Sequence, residues 1–294
     1  MLDIAVNTSG IIDQKQQTRD EMYDKLMLFK EAGFNHLDCL CINKGDLYAR
    51  CDWIQSFRMA LLRADMSVVQ TTFPVFGNIY NDVPPVRLSL NPLEIRQIDL
   101  AFRTNVEWGC TKTIIRPLTP RSYYWDFELK HYLKFNMEYF KWILEHGIRY
   151  GVDITIETMP PMLNKVKCFG TDINHLIKLQ NMIKHEQVGF GIDTEAMHCC
   201  KKDIPKAIKS FAKQLRTLRI SDYDDEKGLI TLPRSGNIEW EPIIDALKDV
   251  KYKGAISFKV NGEKLGKLKN STIVERLKKV HDIGEEFKKT IKGS

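Results

Sequence analysis

The sequence predicts an α/β fold in which eight strand–helix units close into a single (β/α)8 TIM barrel. The first observation is the alternation itself, because short apolar runs of strand type are each followed by a segment with helical periodicity. The second is the position of charge, since Glu157, Asp193 and Lys259 each stand at the end of an apolar strand. Parallel α/β barrels carry their active sites at these carboxyl ends. The third is length: 294 residues suit one barrel domain, which we expect to span residues 1–294.

Apolar alternation bounded by turn residues locates the strands. The predicted strands cover residues 2–7, 35–41, 67–73, 112–116, 152–157, 188–193, 217–222 and 255–260. A doubly wound open sheet is the alternative arrangement of such units. The barrel is favoured because the segment after the first strand lacks the glycine-rich phosphate-binding fingerprint of that alternative.

Helical periodicity and capping residues locate the helices between the strands. The predicted helices cover residues 18–32, 52–64, 128–150, 171–183, 204–213, 238–247 and 271–289, with a further helix opening at 91–94. Thr18 and Glu21 have the spacing of a capping box, and Pro92 follows Asn91 as the first helical residue. The last helix carries its apolar residues on one stripe, which is typical of the outer layer of a barrel.

Composition argues against several classes of partner. The formal net charge is +6, with the excess in the C-terminal third, but the lysines there are not interleaved with aromatic residues as in nucleic-acid sites. The seven cysteines lack C-x-x-C spacing, which argues against a disulfide framework and a zinc ribbon. The N-terminal segment lacks the basic start of a signal peptide, and no apolar run has the length of a membrane span. We therefore expect a cytoplasmic protein that binds neither nucleic acid nor membrane.

Five segments of the second half resemble the xylose-isomerase-like TIM-barrel superfamily of sugar phosphate isomerases and epimerases. They read ITIETMP (154–160), VGFGIDT (188–194), LRISDYD (218–224), LPRSGNIEW (232–240) and YKGAISF (252–258). The superfamily also includes inosose dehydratases and an apurinic endonuclease branch. That branch needs many histidine and carboxylate ligands for several metal ions, whereas the seven histidines here are scattered. The resemblance therefore implies proton-transfer chemistry on a small carbohydrate or polyol.

The resemblance also implies a divalent ion, often manganese, held by Glu, Asp, His and Glu at the ends of strands five to eight. Glu157 and Asp193 match the first two ligands. Arg219 stands where the histidine is expected, and Lys259 stands where the last glutamate is expected. The further histidine that usually follows the second ligand by three residues is Ala196 here. This sequence therefore departs from the family pattern at half of its metal ligands.

These departures argue against an intact metal site. Arginine and protonated lysine have no lone pair to offer, whereas hard divalent ions need several oxygen or imidazole ligands. Two cations next to the metal position would also repel the ion. We therefore expect no cofactor, with Glu157 and Asp193 paired to Lys259 and Arg219 instead. The alternative is a manganese ion bound weakly by Glu157 and Asp193.

Two functions fit this altered centre. In the first, the protein is an isomerase, an epimerase or a related lyase, with Glu157, Asp193, Arg219 and Lys259 as the catalytic candidates. Glu157 is then a general base, Lys259 a proton carrier or Schiff-base nucleophile, and Arg219 the binding site for a carboxylate, phosphate or enediolate. In the second, the barrel has lost its metal site and binds a carbohydrate without catalysis, for example as a sensor.

Aromatic and basic residues near the strand ends are candidates for binding a sugar-like small molecule. Trp125 and Trp240 follow strands four and seven, where their rings could stack on a sugar or only pack between loops and helices. Arg116 and Arg234 add positive charge. Facing inward they favour an anionic ligand, and facing outward they form surface salt bridges. The resemblance further implies a possible homo-oligomer.

Two aspartates complete the set of binding candidates. Asp38 lies on strand two, where its carboxylate could accept a sugar hydroxyl or only a backbone amide. Asp222 follows Arg219 by three residues. It could orient that guanidinium through a charge-assisted hydrogen bond or cap a loop.

Overall fold

A computed structural model describes residues 2–12, 17–41, 52–73, 92–119, 129–163, 166–260 and 265–293. Within these residues, eight parallel strands form a closed barrel in the order β1-β12-β9-β8-β5-β4-β3-β2. The barrel strands are β1 (Ile4–Asn7), β2 (His36–Leu40), β3 (Ser67–Thr72), β4 (Lys112–Ile115), β5 (Asp153–Glu157), β8 (Val188–Asp193), β9 (Leu215–Ile220) and β12 (Ile256–Phe258). β1 pairs with both β2 and β12 and so closes the ring. The predicted (β/α)8 barrel is confirmed.

Helices surround the barrel between successive strands. They are α1 (Arg19–Glu31), α2 (Asp52–Ala64), α3 (Pro92–Glu107), α4 (Leu129–Tyr150), α5 (Ile173–Ile183), α6 (Thr194–Cys199), α7 (Ile204–Phe211), α8 (Trp240–Asp249) and α9 (Asn270–Lys292). The predicted capping box is present: the Glu21 amide donates to Thr18 Oγ1 at 3.3 Å, and the Thr18 amide donates to Glu21 Oε2 at 2.7 Å. Across the described segments, the helices are too short or too polar to cross a membrane.

Two small hairpins lie in the loops that follow barrel strands. β6 (Met162–Leu163) pairs with β7 (Val166–Lys167) after β5, and β10 (Asp222–Asp224) pairs with β11 (Leu229–Thr231) after β9. The strand predicted at 217–222 therefore lies two residues earlier, at Leu215–Ile220, and Asp222 belongs to the hairpin.

The core lies between the barrel and its helices, while the inside of the barrel carries many polar side chains. On β9, Thr217 and Arg219 alternate with Leu218 and Ile220, and all four are buried. Successive side chains of a strand point to opposite faces, and the two apolar residues belong to the main core cluster. Thr217 and Arg219 therefore point into the barrel. Such inward polar positions supply the candidate site.

At the amino ends of the strands, a glycine on β8 makes room for an arginine on β9. A Cβ atom at Gly189 would overlap the Cδ and Nε atoms of Arg216. The space lets the Arg216 guanidinium reach over β8 to the carboxylate of Asp153 at the start of β5. The same guanidinium also donates a hydrogen bond to the carbonyl of Glu186. The amino ends of β5, β8 and β9 are thereby tied together.

Candidate functional site at the carboxyl ends of the strands

The four catalytic candidates lie together at the carboxyl end of the barrel. Glu157 ends β5, Asp193 ends β8, Arg219 is the penultimate residue of β9, and Lys259 directly follows β12. The structure arranges them as two pairs, each made of one cation and one carboxylate. Arg219 donates to Glu157 Oε1 at 3.2 Å, and Lys259 Nζ donates to Asp193 Oδ2 at 2.7 Å. The first three residues are buried, while the Lys259 side chain is 23% exposed.

Asp38 holds the Arg219 guanidinium in place from inside the barrel. Arg219 donates to both Asp38 oxygens at 2.9 Å in a bidentate pair. Gln70 and Ser257 also donate to Asp38 Oδ2, each at 2.9 Å, and Thr72 accepts a further hydrogen bond from Arg219. The carboxylate is fully buried. The sequence suggested a sugar hydroxyl or a backbone amide as its partner, whereas the structure gives it a guanidinium and two polar side chains.

These contacts keep Arg219 charged. Burial alone would lower its pKa, but the carboxylates of Asp38 and Glu157 outweigh burial and raise the pKa well above its usual range. The guanidinium therefore acts as a fixed cation and as a donor of hydrogen bonds.

Lys259 lies between two carboxylates. Its ammonium donates to Asp193 Oδ2 at 2.7 Å and to Glu195 Oε2 at 2.6 Å. Burial opposes the charge, but Asp193 and Glu195 outweigh burial and raise the pKa of Lys259. Burial also opposes the charge of Asp193 and would raise its pKa, yet the cations of Lys259 and Arg219 hold that pKa below its ordinary value. Both members of the pair are therefore charged at neutral pH.

Sequence reasoning missed Glu195 as a partner of Lys259. Asp193 caps the short helix α6, because its Oδ1 accepts from the Ala196 amide at 3.2 Å. Glu195 therefore falls in the first turn of α6, directly above the strand end. The aspartate at the end of an apolar strand was a usable signal, since aspartate is a preferred N-cap residue.

The two arginines near the strand ends have different surroundings. Arg116 donates to Glu157 Oε2 at 3.2 Å, so Glu157 lies between the guanidinium groups of Arg116 and Arg219. Arg234 instead pairs with Glu241 and Glu286 on the outer helices α8 and α9. The structure thus brings Arg116 into the candidate site and leaves Arg234 in surface salt bridges.

Asp222 and Trp240 belong to the structure of the loop after β9. Asp222 Oδ1 accepts from the amides of Tyr223 and Ile238 at 2.8 and 2.9 Å, and its Oδ2 accepts from the indole of Trp240 at 2.8 Å. Asp222 therefore caps the loop, and among the described residues it forms neither a hydrogen bond nor an ion pair with Arg219. Trp240 is 1% exposed and packs on Phe287, so its ring offers no open face to a sugar. The other stacking candidate, Trp125, lies outside the described residues.

The donor set does not fit a divalent metal ion. The described residues contain no group of three or more histidine, cysteine, aspartate or glutamate side chains that could hold one. An ion at Glu157 and Asp193 would have to displace Arg116 and Arg219 from the first carboxylate and Lys259 from the second. Neither Arg219 nor Lys259 offers a lone pair in return.

Comparison with known families identifies the class of protein. Residues 30–282 match the family described as Xylose isomerase-like TIM barrel, and the chain belongs to that family. The resemblance inferred from the sequence motifs is therefore confirmed. A search of curated proteins gave no match.

Solved structures share the fold along nearly the whole chain. A D-psicose 3-epimerase with D-tagatose from Clostridium cellulolyticum H10 is 14% identical, with 97% of this chain and 99% of that one covered at a TM-score of 0.72. The 3-keto-D-glucoside 4-epimerase YcjR from E. coli is also 14% identical, covering 96% and 100% at 0.70. The IolI protein with a bound zinc atom is 15% identical, covering 97% and 99% at 0.73. At these identities the likeness establishes the fold.

Proposed function

We propose that this protein isomerises or epimerises a small carbohydrate or polyol by proton transfer without a metal ion. The observation that carries the proposal is the pair of cations, Arg219 and Lys259, held against Glu157 and Asp193 at the carboxyl ends of the strands. In the family pattern, two of these four positions complete a metal site. Here fixed positive charges replace the ion where negative charge develops during proton transfer. The sugar epimerases among the structures of the same fold support this choice of chemistry.

The proposed reaction begins with Glu157 as the base. Its carboxylate accepts hydrogen bonds from Arg219 and Arg116 and keeps lone pairs free. It removes a proton from the carbon next to the substrate carbonyl. The electron pair of the broken C–H bond moves to the carbonyl oxygen and forms an enediolate. The Arg219 guanidinium stabilises that negative charge without having to reorganise, because Asp38 already holds it in place.

Lys259 returns the proton. Its raised pKa keeps the ammonium charged at neutral pH, and its side chain is partly exposed, so it can reach a substrate. Donation of its proton to the enediolate carbon yields the product and a neutral amine. Solvent then resets Lys259 by protonation and Glu157 by deprotonation. Because this lysine is charged at rest, it acts as an acid and not as a Schiff-base nucleophile.

The charge balance of the site supports a neutral sugar or polyol as the ligand. At this site, carboxylates and cations among the described residues form ion pairs with one another. The carboxylates are those of Asp38, Glu157, Asp193 and Glu195, and the cations are those of Arg116, Arg219 and Lys259. The expectation of an anionic ligand depended on Arg116 and Arg234 facing inward near the strand ends. Arg116 is neutralised by Glu157, and Arg234 pairs on the surface. Hydroxyl groups can exchange for these hydrogen bonds without adding charge to the site.

Deuterium exchange on metal-stripped protein tests the proposal. Chelator-treated enzyme is incubated in D2O with D-psicose, D-tagatose or D-fructose, and NMR measures deuterium at the carbons next to the carbonyl. We expect exchange that chelation does not change and that Glu157→Gln lowers about 100-fold or more. Glu275→Gln on α9, in an exposed ion pair, is the matched control and keeps full exchange. Exchange that appears only after manganese is added would refute the metal-independent reaction.

A second candidate function, a carbohydrate-binding or sensor barrel without catalysis, is favoured by one observation. Arg219 and Lys259 are each bound by two carboxylates, so their charges are balanced before any substrate arrives. Saturable binding of a sugar, measured by calorimetry, with no deuterium incorporation would establish this function in place of the first.

A further inference from the structure

A cavity lies at the amino ends of the strands, at the other end of the barrel from the candidate site. It is bordered by the start of β4, the start of β9 and the segment before β12. Its volume is about 470 Å³, within the range of about 300–1,000 Å³ that small-molecule sites occupy. Basic side chains dominate its lining, namely Lys112, Lys213, Arg216, Lys251 and Lys253.

Within the described ranges of the chain, carboxylates neutralise only a small part of this positive charge. Arg216 is paired with Asp153. The four lysines have no ion-pair partner in the part of the chain that the structure describes. Ammonium groups gathered around one cavity repel one another, so a bound anion relieves that repulsion as well as adding its own attraction.

Helix ends explain only part of this cluster. α7 and α8 both end at this face, and each helix end carries about half a negative charge. Lys213 and Lys251 follow these ends and compensate for them. Lys112 and Lys253 instead lie beyond the last turns of α3 and α8, at the beginning of β4 and just before β12, where the effect of a helix end has largely faded. Their charge is left for a ligand.

One wall of the cavity is apolar. Val250 is half-buried and lines it, together with the small exposed edges of Leu215 and Tyr252, which are each 6% exposed. The Tyr252 hydroxyl donates to the carbonyl of Ala255, which fixes the ring in place. A ligand that matches both parts of the lining has an apolar or planar body and a phosphate group.

We propose that this cavity binds a small phosphate monoester with an apolar body, of the nucleoside monophosphate class. The phosphate lies among the lysines, and the body lies against Leu215, Val250 and Tyr252. The site is separate from the carboxyl-end centre, so its test does not depend on which reaction, if any, occurs there.

Calorimetry of the full chain at about 0.15 M salt tests the proposal, with adenosine 5′-monophosphate, adenosine and inorganic phosphate as probes. We expect one saturable site per chain for the monophosphate and none for adenosine. The double variant Lys213→Gln/Lys253→Gln weakens binding at least tenfold. Lys206→Gln/Lys278→Gln removes the same charge from the exposed faces of α7 and α9 and leaves the affinity unchanged. No saturable binding of the monophosphate, or equal losses in the two double variants, would overturn the proposal.

Lysine footprinting locates the bound molecule. Acetylation followed by mass spectrometry compares the modification of each lysine with and without the monophosphate. We expect protection of Lys112, Lys213, Lys251 and Lys253, and no change at Lys206. Protection of Lys259 instead would place the monophosphate at the carboxyl-end site and would also overturn the proposal.

Discussion

Arg219 shows how one residue changes the chemistry that a barrel end can perform. A guanidinium brings hydrogen-bond donors to a position where a metal site needs a lone pair. Its burial is tolerated because Asp38 binds it with two parallel hydrogen bonds and Glu157 adds a third contact. Removing one partner of a buried ion pair typically costs about 3–5 kcal/mol, since the other charge is left unpaired. A substitution at any one of these three residues therefore leaves a buried charge unpaired and affects the other two.

The Lys259–Asp193 pair should make stability depend on pH in a defined way. The folded-state pKa of Asp193 lies below its ordinary value of 3.8. Its contribution to stability is therefore complete above about 3.8 and is lost as the pH falls through the lower folded value. In Lys259→Met, burial is no longer balanced by the ammonium, and the pKa of Asp193 rises.

We accordingly expect Lys259→Met to be least stable relative to the wild type at pH 7. The difference shrinks as the pH falls toward 4, where Asp193 of the variant takes up a proton. Urea unfolding followed by circular dichroism at pH 7, 5.5 and 4 measures the difference. A stability difference that stays constant over this range would show that the loss of Lys259 does not raise the pKa of Asp193.

Restoring the family's ligand types should restore metal affinity. The variant Arg219→His/Lys259→Glu removes both cations and supplies an imidazole and a carboxylate beside Glu157 and Asp193. We expect it to retain more manganese than the wild type after expression with added manganese and desalting, as measured by elemental mass spectrometry. A variant that is folded by circular dichroism and shows no gain would contradict the assignment of these four positions.

The sequence predicted which residues stand at strand ends but not how they pair across the barrel. Position at a strand end follows from local alternation, so Glu157, Asp193 and Lys259 could be placed directly. Asp38 and Arg219 are 181 residues apart, and their contact depends on the closure and register of the whole ring. Only an assembled barrel brings β2 and β9 face to face, which explains why the sequence suggested only a sugar hydroxyl or a backbone amide as the partner of Asp38.

At the scale of elements, the long periodic segments were predictable and the short ones were not. α2 was predicted at 52–64, which are its observed bounds, and α4 differs from its prediction by one residue. The hairpins β6–β7 and β10–β11 were missed, because strands of two or three residues are too short to show alternation. The six-residue helix α6 was missed because it begins directly at the end of β8.

Gly189 of β8 should be required for Arg216, which lies over it. We expect Gly189→Ala to destabilise the protein by about 1–3 kcal/mol, because the new methyl group overlaps the Arg216 side chain and the carbonyl oxygen of Gln214. Urea unfolding in the Arg216→Ala background should show a smaller loss. Gly109→Ala is the control: its φ is +67° with open space around the Cβ position, so its cost is backbone strain alone and is the same in both backgrounds. Equal losses for Gly189→Ala in both backgrounds would show that the Arg216 side chain contributes nothing and that the clash with the Gln214 carbonyl accounts for the whole loss.

At the scale of the whole molecule, we predict that residues 1–294 fold as one cooperative domain. β1 pairs with β12, and Arg219 of β9 pairs with Asp38 of β2, so both halves share one ring and one charged centre. Tryptophan fluorescence reports on both halves, through Trp53 and Trp108 in the first and Trp240 in the second. We expect urea midpoints from fluorescence and circular dichroism to coincide. Separate midpoints would show that the halves unfold independently.

Closure of the ring through its first and last strands has a consequence for synthesis in the cell. β12 is the last strand of the ring to be synthesised, so the other seven leave the ribosome before the ring can close. Until then β1 and β9 each keep an unpaired edge, and such edges pair readily with other chains. The nascent protein therefore remains for a long stage an incomplete sheet with aggregation-prone edges. Its yield in cells should depend on chaperone capacity more than the stability of the finished barrel suggests.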